Sequence, residues 1–167
     1  MRGLVVAAAL AAPRLATGQA CAPDTPPPAG YELWRSAAVA ADSGVAAQDA
    51  PALAIGRLTR LELHPAASVR FVAAPEQQRK VDAPQAGLAV IEVPRRGVYR
   101  VTASAPAWFD MLAGQERLRN EAYGRVGPCG PVRMFVEFRM EPGRHVLQLS
   151  GATDTHITVA VEARPRN

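Results

Sequence analysis

Three histidines, two cysteines and a few arginines set beside aromatic rings hold most of the chemistry open to this 167-residue chain. Two imidazoles and one carboxylate on a common face would make the donor set of a non-haem iron centre, with positions left open for dioxygen. His64, His145 and His156 are the only imidazoles, and no His-x-His with a following Glu occurs. The plain reading is that each is a surface or strand-end residue, and metal binding by some pair is the rival. Ser36, Ser43, Ser68, Ser104 and Ser150 are the available hydroxyl nucleophiles of that type. None lies in a Gly-x-Ser-x-Gly elbow or a Ser-x-x-Lys arrangement, and neither a phosphate loop nor a zinc-type cysteine pair is present.

Recognition has better candidates than catalysis. Arg133, Phe135 and Arg139 alternate onto one side of a strand-like run. An exposed ring between guanidinium groups has the composition of an interface, whereas a solvated charge ladder with Glu137 is the plain alternative. Trp108 and Phe109 are neighbours, so a strand turns one inward and the other outward. The outward ring, beside Asp110, is a second surface candidate. Tyr31 and Trp34 read as clamps that hold the amino-terminal segment onto the rest of the domain.

Cys21 and Cys129 bear on compartment as well as structure. Residues 1–20 read as a signal peptide: Met1-Arg2-Gly3 is a short positive start, 4–12 is apolar, and small residues precede a cut after Ala20. An apolar run this short covers only about half of a hydrocarbon core of about 30 Å, so no membrane span is expected. The mature chain then begins at Cys21 in a periplasmic or extracellular setting, where two cysteines most simply form one disulfide. Acylation of Cys21 as a lipoprotein start is the alternative, although Gly18 occupies the position where a lipobox usually has Leu. Cys129-Gly130-Pro131 is followed by Val132, so the second thiol of a thioredoxin-type motif is missing.

The elements that must position these residues follow from composition and spacing. Fifteen prolines and 13 glycines exclude long helices, since an interior proline costs a helix about 3 kcal/mol. Aromatic residues make up only 5% of the chain, and the basic side is arginine apart from Lys80. Those arginines are scattered without a dense run or an interleaved aromatic platform, so no nucleic-acid partner is expected. Residues 21–54 read as an extended, Pro- and Ala-rich segment with a possible helical turn over 36–41. Pro65, Pro75, Pro84, Pro94 and Pro106 then recur at the spacing of short strands and turns in a sandwich. Strands are expected over 57–64, 68–73, 88–93 and 98–104. Val132, Met134, Val136, Phe138 and Met140 alternate without a miss, which predicts one buried and one wetter face over 132–140. Further strands over 146–150 and from Ile157 to Val161 are expected to pair as hairpins, the first with 132–140 and the second across the turn at 151–155. In that last register His145 and His156 stand about 16 Å apart at 3.3 Å per residue.

The run from Gly97 to Ser104 can be laid on the run from Gly143 to Ser150, so that Tyr99 matches His145. Both copies are expected to enter the sandwich in the same way, with those two rings at the edge of the core. Pro94-x-x-Gly97-x-Tyr99-x-Val101, then Ala107-Trp108-Phe109-Asp110, a Gly114 hairpin and the Cys129 loop before residues 132–150 resemble a group of short secreted proteobacterial proteins. That group often bears the label homogentisate 1,2-dioxygenase, and the label implies iron and, in this chain, His64, His145 and His156 as ligands. The layout is also similar to the jelly-roll-like sandwiches of bacterial pre-peptidase C-terminal domains, which implies a binding or accessory module. The expectation is therefore one all-β domain over 21–167, a jelly-roll-like antiparallel sandwich of roughly eight strands with its core strands over 55–162 and one disulfide. Its expected role is non-catalytic capture of an envelope protein or small ligand, without a cofactor, and the alternative is an iron-dependent dioxygenase.

Overall fold

The computed structural model describes residues 21–22 and 24–165, and the signal peptide expected over 1–20 lies outside them. Among these residues, eleven strands form two sheets. They are β1 (Val39–Asp42), β2 (Leu58–Glu62), β3 (His64–Pro65), β4 (Gln85–Val93), β5 (Gly97–Ala103) and β6 (Trp108–Ala113), then β7 (Glu116–Arg117), β8 (Asn120–Arg125), β9 (Met134–Met140), β10 (Gly143–Ala152) and β11 (His156–Ala163). One sheet runs β1-β2-β11-β5-β9-β8 and the other β3-β4-β10-β6-β7. All pairings between strands are antiparallel except that of β1 with β2, which is parallel. Inward residues of both sheets meet in one core, with Leu61, Val101, Phe138 and Ile157 from the first against Ile91, Met111, Leu147 and Leu149 from the second.

The strand count exceeds the expected eight because β3 and β7 are two-residue edge strands and β1 arises inside the segment expected to be extended. The turn expected over 36–41 is displaced: a 3-10 turn occupies Glu32–Arg35, and residues 39–42 add to the edge of β2. The unbroken alternation over 132–140 becomes β9 as expected, and the Gly114 turn joins β6 to β7 as a hairpin.

Two expected hairpins do not form. β9 lies in the first sheet and β10 in the second, and β11 returns to the first. The turns at 141–142 and 153–155 are arches that carry the chain across the core, helped by Gly143 (φ 126°) and Gly151 (φ 65°) in conformations open to glycine. Alternating strands on either side of an arch bury the same side chains that a hairpin would, so the local pattern does not distinguish the two.

The outer faces of both sheets are covered as well. On the first, Trp34 packs with Leu58, Val132 and Ala160, and its Nε1 donates to Thr102 Oγ1 at 2.9 Å. On the second, Val69 packs on Leu88, Val90, Leu112 and Val146 together with the half-buried Phe71 and Val72. Residues 68–73 are therefore a strap and not the expected strand. Their apolar side chains serve a sheet face, and their backbone amides are met by a side chain: Gln148 Oε1 accepts from the N–H groups of Val72 (2.6 Å) and Ala73 (3.2 Å), while its Nε2 donates to Ala73 O at 3.0 Å. The Cys21–Cys129 disulfide ties the amino-terminal segment to the loop before β9, across a separation of 108 residues.

Candidate functional site

Each histidine is set by its strand. His64 in β3 is half-buried and its Nε2 donates to Ser43 O at 2.8 Å. His145 faces inward from β10, only 3% exposed, with its Nδ1 3.1 Å from Gly143 O. His145 and Tyr99 thus share the buried environment expected of the paired runs. In register along β4, His64 stands opposite Ala86 and His145 opposite Ile91, about 16 Å apart along the strand. His156 precedes the core residue Ile157 and points outward from the other sheet, opposite Glu62. The separation of His145 from His156 thus comes from two sheets and not from the expected hairpin register. The three imidazoles do not converge, and no group of three or more His, Cys, Asp or Glu able to hold a metal occurs among the described residues. The donor set does not fit an iron centre.

The Trp108 pair resolves with Phe109 in the core and Trp108 half-buried on the outer side. Asp110, expected on the surface, is 2% exposed. Its Oδ1 accepts from Trp108 Nε1 at 3.1 Å and lies 3.0 Å from Arg117 Nε, an ion pair without hydrogen-bond alignment, and its Oδ2 accepts from the Glu76 amide at 3.3 Å. Arg117 also donates through Nη2 to Ala74 O. The strap covers this carboxylate because β6 places it in register with Gln148. Both side chains hold down the same crossing segment.

Arg133, Phe135 and Arg139 share the outer face of the first sheet, where most of their groups meet others of the same chain. The Phe135 ring lies over Gly124 on the edge strand β8, so close that a Cβ there would come within 2.9 Å of it, a pairing that shields an edge-strand glycine. Arg100 on β5 stacks on Phe135 at 4.8 Å and on Tyr31 at 5.5 Å. Its Nη2 pairs with Glu137 at 2.7 Å, and Arg164 joins the same carboxylate at 3.3 Å. Glu162 stands opposite Arg100 in register. Burial pushes the Glu162 carboxyl above its usual range, against the pull of Arg100 and Arg164. Arg139 grips Glu121 through Nε and Nη2, which raises its already high pKa. Arg133 remains half-buried beside this network.

A concavity that sequence reasoning missed opens at the end of the sandwich where the β4–β5 arch crosses. It encloses about 530 Å3, and its walls come from three separate stretches: Ile55, residues 94–99 across the arch and the start of β5, and the end of β11 with Arg164. Tyr99, 3% exposed, donates its hydroxyl to Arg95 O at 2.8 Å and so fixes the arch in the manner of the tyrosine corner of other sandwiches. The amide of Arg164 donates to Val98 O, and that of Gly56 to Val161 O. Its legible signal was the Arg95-Arg96 pair between Pro94 and Gly97.

Compared with known proteins, the chain matches no family model, no curated protein and no solved structure.

Proposed function

We propose that this protein is a non-catalytic binding or accessory module of the periplasm or the extracellular space. One observation carries the reading: the groups best able to do chemistry are employed in holding the fold. His64 and His145 donate to backbone carbonyls, and Asp110 holds Arg117, Trp108 and the Glu76 amide. The concavity at the β4–β5 arch is walled instead by apolar residues and arginines, which suit recognition. The Cys21–Cys129 disulfide accords with an oxidising compartment, and no helix among the described residues is long and apolar enough to cross a membrane.

The test is cross-linking and capture from the native cell envelope, with metal analysis of the purified protein. The expected outcome is a discrete partner or ligand and no stoichiometric iron or copper. Stoichiometric metal that is lost on changing His64, His145 and His156 to Ala would overturn the reading in favour of the oxygenase.

A further inference from the structure

We propose that the cleft at the β4–β5 arch binds a small organic anion, a single carboxylate joined to an apolar body. The inference rests on the binding-module reading and names the ligand class for it. Three features of the cleft converge on that class. Its volume of about 530 Å3 lies within the range of ligand sites, about 300–1,000 Å3. The half-buried Ile55 and Val98 give it an apolar floor, and three exposed arginines, Arg95, Arg96 and Arg164, line it with no carboxylate among the lining residues.

The guanidinium groups are not equivalent. Arg164 is bound to Glu137, which also holds Arg100. Arg96 reaches the exposed Glu141 at 3.0 Å, a pair with both side chains about two-thirds in solvent and so easily exchanged for another anion. The Arg95 guanidinium has no partner among the described residues, while its backbone is held by Tyr99. A cation on an immobilised arch beside an apolar floor suits an amphipathic anion: the forked donors take the carboxylate in two parallel hydrogen bonds, and the floor takes the body. Bare phosphate would leave the floor unused, and a neutral apolar molecule would leave the arginines unused.

Calorimetric titration of the oxidised protein with octanoate, octanol and inorganic phosphate separates these classes. Saturable binding of octanoate is expected, with octanol and phosphate each weaker by about tenfold or more. Arg95→Gln, which leaves the carbonyl that receives the Tyr99 hydroxyl, should weaken octanoate by about tenfold. Ala163→Glu, at an exposed site on the cleft wall, should weaken it at least as much by placing a like charge there. Arg125→Gln, at the end of β8 and outside the cleft, should change nothing, and circular dichroism of each variant checks the fold. Octanoate that fails to saturate, octanol or phosphate binding as tightly as octanoate, or variants within about twofold of the parent would each overturn the assignment. Envelope capture that succeeds while octanoate fails leaves the module reading standing and removes only this ligand class.

Discussion

Replacing Gln148 by methionine, which keeps side-chain length and removes the amide, would test what holds the strap over the second sheet. Gln148 is 1% exposed and satisfies three backbone groups of Val72 and Ala73. Each buried group left without a partner costs about 1–3 kcal/mol, so a strap that stays seated loses about 3–9 kcal/mol. That loss has a ceiling, because the strap can lift and hydrate once its hydrogen bonds cost more than its docking is worth. Its docking rests on Val69, fully buried, and on the half-buried Phe71 and Val72. Full burial of such a side chain contributes about 1.5–3 kcal/mol, which puts the ceiling near the lower end of the first range. The expected loss is therefore about 3 kcal/mol in urea unfolding, accompanied by faster hydrogen exchange at Val72 and Ala73. A loss below about 0.5 kcal/mol, with both amides as protected as in the parent protein, would refute the clamp.

Gly87→Ala should destabilise by about 1–3 kcal/mol in the same assay, since a Cβ there would meet Ser43 Oγ at 2.2 Å and Ser43 Cβ at 2.5 Å. Recovery is expected in the double change with Ser43→Gly, and its absence would place the strain elsewhere. Ser43→Ala alone should be neutral or stabilising by about 1 kcal/mol, because Ser43 Oγ is buried without a hydrogen-bond partner among the described residues. Serine at both Cys21 and Cys129 opens a loop of separation 108 and should lower stability by about 4–5 kcal/mol in the chain-entropy model, and a loss under about 1 kcal/mol would count against it. Burial holds the Glu162 carboxyl above its usual range in the folded state, so the fold binds that proton more tightly than the unfolded chain does. Ionisation therefore costs stability as pH rises through the window from the ordinary carboxylate value to the raised one. Glu162→Gln should gain on the parent protein across that window and run parallel to it on either side, whereas a difference independent of pH refutes the assignment.

What could be read from the sequence was what is encoded locally. Strand β9 was legible because its inward and outward residues alternate without interruption, and that periodicity belongs to the strand itself. The apolar run over 68–73 was misleading for the complementary reason: Val69, Phe71 and Val72 bury against a sheet without joining one, and an apolar side chain carries no label for the kind of surface it will cover. Asp110 shows the same limit for a charged group. A carboxylate beside two rings reads as surface until a strap closes over it and supplies the Glu76 amide and Arg117.

The all-β class, with no long helix among the described residues, was determined by sequence alone, because proline spacing and alternation act on the chain within a few residues. The Cys21–Cys129 pairing was the simplest outcome of the cysteine count, and the structure forms it in place of the acylated Cys21 that the sequence also allowed. Which strands pair was decided by tertiary structure. Arches and hairpins bury the same alternating residues, and only closure of the two sheets put β9 and β11 in one and β10 in the other. That closure also turned Phe109 inward and Trp108 outward. It left His64 and His145 far apart along β4 and gathered Ile55, Arg95, Val98 and Arg164 around one cleft. Those residues come from three stretches that no local pattern connects, so their meeting is a property of the fold and not of any one segment.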